Sequence, residues 1–120
     1  MRKKPVTVLV TGGGAPGIAG TLYALRNNPD GVRVRVITCD MRDEVIGKYL
    51  ADEFYLVPSG ESPDFIETLL EIASRRNVDV ILPQVNQELL PLAKNLPRFN
   101  AHGIAVAVAQ RASIERANDK

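Results

Sequence analysis

The chain has 120 residues, 45% of them hydrophobic, which is enough for one hydrophobic core but too few for two well-packed domains. Its 15 Lys and Arg residues are interleaved with 14 Asp and Glu residues, so a basic face for nucleic acid is excluded. No apolar run approaches the roughly 20 residues that span a bilayer, and no signal helix opens the chain. We therefore expect a cytoplasmic protein with neither a membrane nor a nucleic-acid partner.

The single cysteine, Cys39, has no second cysteine with which to form an internal disulfide, and His102 is the single histidine. These counts argue against a metal site made of histidine and cysteine ligands. We interpret Cys39 as a small apolar residue buried at a strand end. His102 comes directly before a glycine, and we interpret it as a cation at a helix end rather than a ligand or a base.

A glycine-rich segment, residues 11–20, follows an apolar run at residues 6–10 and precedes apolar residues at helical spacing. This order predicts a strand, a tight turn and a helix, with Gly12, Gly14 and Gly17 matching the pattern G-x-G-x-x-G. The loop either presents backbone N–H groups to an anion or only lets helix and strand pack closely. We favour the ligand-facing interpretation. It predicts that a branched residue at Gly14 weakens substrate binding more than folding.

The first helix should run from about Gly17 to the turn formers at residues 27–31. A second strand is predicted at residues 32–38, and it continues into Asp40. This carboxylate lies about where a dinucleotide-binding fold hydrogen-bonds a ribose. It could equally be a turn or N-cap acid for the segment that follows.

Residues 41–50 show a weak pattern that predicts at most a short helical turn. Residues 54–57 predict a brief edge strand, because they are aromatic or branched and are followed by Pro-Ser-Gly. The next helix should extend to about residue 76, with Ser62 as its N-cap and Pro63 in its first position.

A fourth strand is predicted at residues 78–82, followed by a segment at residues 84–88 that should lie at the same sheet edge as the glycine loop. Asn86 can cap the next helix. That helix can tolerate Pro91 only in or near its first turn. Glu88 is interpreted first as an acid that complements the helix dipole, with ligand binding as the alternative.

A fifth strand is predicted at residues 104–108, and a further helix begins at Ser113. The alternation of strands and helices predicts an α/β fold, a Rossmann-like open parallel sheet in the order 3-2-1-4-5 with helices on both faces. Ligands bind such sheets beyond the carboxyl ends of the strands, here between the first and fourth. The glycine loop, Asp40 and residues 84–88 should meet there.

Several segments together resemble the N-terminal pre-ATP-grasp domain of ATP-grasp ligases such as biotin carboxylase and the carbamoyl-phosphate synthase large subunit. The resemblance covers nearly the whole chain. It rests on the order and spacing of four motifs: Thr-Gly-Gly-Gly at 11–14; Ala-Asp-Glu-Phe-Tyr-Leu-Val-Pro at 51–58; Val-Asp-Val-Ile-Leu-Pro at 78–83 with Glu88-Leu89 behind it; and Gly103-Ile104 leading to Asn118-Asp119-Lys120.

This resemblance implies that residues 1–120 are one Rossmann-like domain at the N-terminus of a longer enzyme. A separate ATP-grasp module, C-terminal to this chain, would bind ATP and magnesium and activate a carboxylate as an acyl phosphate for attack by an amine or similar nucleophile. The present domain would form the substrate side of the shared cleft. Its candidate substrate-binding residues are Gly12, Gly13, Gly14, Ala15, Gly17, Asp40 and Glu88.

By the same resemblance Lys120 contacts the nucleotide. The 120 residues alone are expected to be inactive, to bind no cofactor tightly and to contain neither a complete catalytic set nor a metal site. A homo-oligomer is compatible with the sequence. The alternatives are an NAD(P)-binding domain of an oxidoreductase, which the glycine pattern and Asp40 also fit, and a stand-alone ligand-binding module.

Overall fold

The computed structural model describes residues 4–108. Five strands form one parallel sheet in the order β3-β2-β1-β4-β5, as the sequence predicted. The strands are β1 (Val6–Val10), β2 (Val34–Asp40), β3 (Glu53–Leu56), β4 (Val80–Leu82) and β5 (Ala105–Val106). Strand β1 is central and nearly all buried because its five apolar or β-branched residues are covered on both faces. Strand β3 lies at an edge, again as predicted.

Helices cover both faces of the sheet. They are α1 (Ile18–Arg26), α2 (Ile46–Leu50), α3 (Phe65–Arg75), α4 (Asn86–Lys94) and α5 (Leu96–Asn100). Alternate residues of each strand point to opposite faces, so Leu9 joins the core under α3, α4 and α5. Its neighbour Val8 joins a second core with Ile18 and Leu22 of α1. The predicted two-sided architecture is therefore confirmed.

Helix α3 begins at Phe65, two residues later than its first expected position at Pro63. The predicted N-cap at Ser62 is wrong, because Ser62 lies in a preceding turn where its hydroxyl accepts the Asp64 N–H at 3.2 Å. At the other end, Asn77 adopts a left-handed conformation with φ 56°, and the Val78 N–H donates to the carbonyl of Ala73. This C-terminal cap occupies the first residues of the predicted fourth strand, so β4 starts only at Val80.

Helix α4 differs from its prediction at both ends. Val85 is the N-cap and Asn86 is already the first helical residue, so the predicted Asn86 cap is wrong. Pro91 is the sixth residue rather than a first-turn residue, and without an N–H it leaves the carbonyl of Gln87 free of a helical partner. The predicted continuous helix stops at Asn95, whose side-chain amide donates to the carbonyl of Pro91, and α5 follows.

Strand β5 has two residues rather than the predicted five. The predicted helix that begins at Ser113, and Lys120 itself, lie outside the described residues. Across residues 4–108, no helix has the length and apolar character needed to cross a membrane.

Candidate functional site

A cleft of about 360 Å³ lies beyond the carboxyl ends of the strands. Three segments line it: the glycine loop after β1, the end of β2 with the residues that follow it, and residues 57–61 together with the start of α4. Its volume is within the range of small-molecule sites, which run from about 300 to 1,000 Å³. This is the switch point at which the sequence predicted a ligand.

The start of the glycine loop is held at the switch point by hydrogen bonds to β4 and to the residues that follow it. The Thr11 N–H donates to the carbonyl of Leu82, and the Thr11 hydroxyl accepts the Gln84 N–H at 2.9 Å. Gly12 has φ 67°, and an added Cβ would lie only 2.9 Å from Cγ2 of Val85. Glycine is required at position 12 both for its backbone conformation and for this close approach.

Most backbone donors of the loop are used within the protein. The Gly13 N–H donates to the carbonyl of Cys39 at 2.8 Å, and the Ala15 N–H donates to the carbonyl of Gly12 at 2.8 Å. The Gly14 N–H donates to Oδ2 of Asp40, also at 2.8 Å. Two of the N–H groups that the sequence predicted as anion donors, those of Gly12 and Gly17, have no acceptor among the described residues.

Asp40 is turned toward the loop rather than outward. Its Oδ1 accepts the N–H of Arg42 at 3.0 Å and lies 3.7 Å from the Arg42 Nε. With the Gly14 bond, the carboxylate fastens the glycine loop to the end of β2. Of the two roles that the sequence left open, this geometry matches the turn acid, and it leaves Asp40 poorly placed for a ribose.

Helix α2, for which the sequence shows only a weak pattern, braces the loop from the other side. The Gly47 N–H donates to the carbonyl of Gly13 at 2.8 Å, and the Gly47 carbonyl accepts the Thr38 hydroxyl at 3.0 Å. A Cβ on Gly47 would lie 2.6 Å from the Gly13 oxygen. Gly47 is therefore a determinant of the site that sequence reasoning missed, since its partner is distant along the chain.

Gly14 is packed too tightly to serve as a clean test of ligand binding. An added Cβ would lie 2.7 Å from Nη2 of Arg42 and 2.8 Å from Cγ1 of Val45. Gly17, by contrast, has no heavy atom within 4 Å of an added Cβ. A branched residue at Gly14 would disturb the fold itself, so any loss of substrate binding in that variant would include a loss of folding. The expectation that binding suffers more stays a prediction.

Glu88, in the first turn of α4, has a side chain that lines the cleft although the residue is only 5% exposed. Its Oε1 atom is buried and has no hydrogen-bond partner. Burial raises the pKa of Glu88 to about 7; the nearby Thr11 hydroxyl lowers the pKa and the charge of Asp40 raises it further. Glu88 is therefore an acid in the first turn of a helix, as the first interpretation predicted, and it also lies at the cleft where the second interpretation places a ligand.

Cys39 lies beneath the same cluster. It is fully buried, as predicted, and burial, followed by the charges of Glu88 and Asp40, raises the pKa of its thiol well above 9.0. The thiol is therefore neutral and unreactive at physiological pH.

Residues 57–61 cover Glu88 because Gly60 sits directly on the start of α4. A Cβ on Gly60 would lie 2.8 Å from Cγ of Glu88 and 2.9 Å from the backbone carbon and oxygen of Gln87. This segment was missed as part of the site. Its position after β3 could have revealed it, since the carboxyl ends of parallel strands share one edge.

The structure thus brings together the predicted loop residues Gly12, Gly14 and Ala15 with Asp40 and Glu88 at one cleft. Gly13 lies behind the loop against Cys39, and Gly17 is the N-cap of α1. His102 lies in the turn after α5, outside the cleft lining. The predicted nucleotide contact, Lys120, is outside the described residues.

The side chains at the cleft do not suit Mg²⁺ with a triphosphate. Within residues 4–108, no group of three or more His, Cys, Asp or Glu residues could hold a metal ion. Among residues 4–108, Arg42 is the one Lys or Arg that lines the cleft, and it is already paired with Asp40. A nucleotide would need cations and metal ligands from elsewhere.

Comparisons with known proteins agree on the fold. The solved structure of glycinamide-RNase-transformylase T from Mycobacterium tuberculosis matches this chain with a TM-score of 0.66 and 15% sequence identity. The match covers 91% of this chain and 28% of the transformylase chain. The biotin carboxylase subunit of pyruvate carboxylase matches with TM-score 0.64 and 19% identity over 98% of this chain and 26% of that chain. The present chain thus spans about a quarter of each solved relative.

A curated relative, an alkyl hydroperoxide reductase component of Pseudomonas putida, is 30% identical over 92 residues. That stretch is 77% of this chain but 17% of the relative, so it does not define a family. The family model for the PylC-like N-terminal domain, in contrast, matches residues 8–107, which is most of the chain. Together with the fold, this match means that the chain belongs to the PylC-like N-terminal domain family, the pre-ATP-grasp type of domain found at the N-terminus of ATP-grasp ligases.

Proposed function

We propose that this chain is the substrate-side domain of an ATP-grasp ligase that activates a carboxylate as an acyl phosphate for attack by an amine or similar nucleophile. The observation that carries the proposal is the cleft at the switch point, a small-molecule-sized space lined by Glu88, whose buried Oε1 atom has no hydrogen-bond partner. The family match supports a ligase rather than another use of the same fold.

In the proposed reaction, a carboxylate oxygen of the first substrate attacks the γ-phosphorus of ATP and ADP leaves. The amine nitrogen then attacks the acyl carbon, and inorganic phosphate leaves with that carboxylate oxygen. A C-terminal ATP-grasp module would hold ATP and Mg²⁺, and the present residues would bind and orient a substrate. By itself the 120-residue chain would be inactive. The proposal includes a ligase whose substrate specificity is like that of carbamoyl-phosphate synthase.

An NAD(P)-binding oxidoreductase domain is less well supported by the geometry. A dinucleotide site needs free N–H groups in the glycine loop and a free acid for the ribose. Here the Gly14 N–H and the Asp40 carboxylate are bonded to each other.

The test uses the full-length enzyme that carries this domain. It would be incubated with Mg-ATP, a panel of unlabelled amines, and a panel of carboxylates whose oxygens are labelled with oxygen-18. The phosphate product would then be analysed by mass spectrometry. Label in the phosphate together with ADP is expected. Release of AMP and pyrophosphate, or turnover of NAD(P) without ATP, would contradict the proposal.

A further inference from the structure

The buried Oε1 atom of Glu88 lacks the partner that such atoms almost always have. It is the one buried side-chain nitrogen or oxygen atom without a hydrogen-bond partner in the part of the chain described here. Buried polar groups are nearly always paired, since an unpaired one has lost its hydrogen bonds to water without gaining others. Because Glu88 is among the residues that line the cleft, a ligand in the cleft can supply the missing donor.

The charges around the cleft favour a cationic ligand. Asp40, Glu61 and Glu88 line it with negative charge. The one basic residue that the described part of the chain contributes to the lining, Arg42, is already paired with Asp40. The other titratable group against Glu88 is the Cys39 thiol of β2, which is neutral. A ligand carboxylate beside Glu88 would face like charges, whereas a cation would be attracted.

The chemistry of the lining also limits the kind of cation. A divalent metal ion needs several oxygen, nitrogen or sulfur ligands, and residues 4–108 contain no suitable cluster. A quaternary ammonium group is usually held by aromatic rings, and none of the described residues that line this cleft is aromatic. A primary ammonium group fits best, because its N–H groups can hydrogen-bond the carboxylate directly.

We propose that Glu88 and this cleft form a binding site for a primary ammonium group, with Oε1 of Glu88 accepting one of its N–H donors. The assignment of that group to the amine substrate rests on the proposed function. Gly60 contributes by allowing residues 57–61 to pack directly against the Glu88 side chain and the start of α4.

The test is an NMR pH titration of the protein labelled with carbon-13 at glutamate side-chain carboxyls. The signal of Glu88 would be assigned by its loss in Glu88→Gln or, if that variant does not fold, by its shift in Glu88→Asp. This signal should titrate with a pKa of about 7. The probe is n-propylammonium chloride, which stays protonated over this range. At about ten times its Kd, it should lower the apparent pKa of Glu88 by about one unit, because it binds the ionised form.

Matched controls separate a site from general salt effects. Glu71→Gln removes an exposed carboxylate of α3, outside the cleft lining, and should leave the shift intact. Sodium chloride and tetramethylammonium chloride at equal concentration should have no comparable effect. An equal shift with either salt, no shift with n-propylammonium, or a raised pKa with propionate would each overturn the proposal.

The titration contains no ATP, so its outcome is independent of the ligase assay. Ammonium binding with no ATP-dependent ligation in the full-length enzyme would contradict the proposed function and leave the site standing. ATP-dependent ligation with no ammonium effect on the pKa of Glu88 would support the proposed function and contradict the ammonium site.

Discussion

At the scale of single residues, Glu88 makes stability depend on pH. Its pKa of about 7 in the fold lies above the ordinary value of 4.5, so the folded state holds this proton more tightly than the unfolded chain. The contribution of the protonated group is fully present below pH 4.5 and is lost as pH rises to about 7. This difference corresponds to about 3 kcal/mol in the free energy of unfolding.

Urea unfolding at pH 4.5 and pH 8 of the wild type and Glu88→Gln would measure this contribution. The wild type should lose about 3 kcal/mol more than the variant between the two pH values, because the glutamine cannot ionise. Comparison with the variant cancels the titration of the other acids. Parallel pH profiles for the two proteins would contradict a buried, protonated Glu88.

A second residue-scale prediction concerns the glycine loop. Gly14→Ala should lower the free energy of unfolding by about 1–3 kcal/mol, because its Cβ would collide with Val45 and Arg42. Gly17→Ala is the matched control and should change stability little, since its Cβ meets open space. Equal unfolding midpoints for the two variants would show that the loop can relax around Gly14.

At the scale of elements, residues 57–61 and α4 form a joint that covers the carboxyl group. Gly60→Ala should push the two apart, because its Cβ would lie 2.9 Å from the Gln87 backbone. The expected loss is about 1–3 kcal/mol of unfolding free energy. The pKa of Glu88 should fall toward 4.5, since water would reach the carboxyl group.

Unfolding measurements and the glutamate NMR titration together test this coupling. Gly20→Ala, inside α1, is the control and should raise the free energy of unfolding by about 0.5–1 kcal/mol without moving the pKa of Glu88. If Gly60→Ala destabilises the protein but leaves that pKa unchanged, the joint supports the fold without controlling the burial of Glu88.

At the scale of the whole molecule, calorimetric titration of this 120-residue chain with Mg-ATP should show no tight binding. At the cleft, Arg42 offers one exposed ion pair, worth about 0–1 kcal/mol. A second ion pair, from Lys120, would add about the same amount. Micromolar affinity requires about 8 kcal/mol. Saturable micromolar binding of NAD(H) or NADP(H), with no response to ATP, would instead support the oxidoreductase alternative.

The architecture followed from local patterns because hydrophobic periodicity is a short-range signal. The apolar run of β1 predicted a central strand, and the aromatic and branched residues of β3 predicted a short edge strand. Alternation of strands and helices then allowed few parallel topologies, because crossover connections are right-handed. Helix ends were less predictable: Ser62 and Asn86 are good N-cap residues by type, yet the chain bonds differently at both positions.

The sequence by itself determined the sheet order, the switch point and the presence of Asp40 and Glu88 at that edge, because those depend on strand order and chain direction. Tertiary structure alone decided what each acid does there. The hydrogen bond from the Gly14 N–H makes Asp40 hold the glycine loop, and Gly60 packs against Glu88, whose buried Oε1 atom has no partner. Hydrogen bonding and desolvation depend on atoms that are distant along the chain, so no local pattern could show which carboxylate oxygen would remain unpaired.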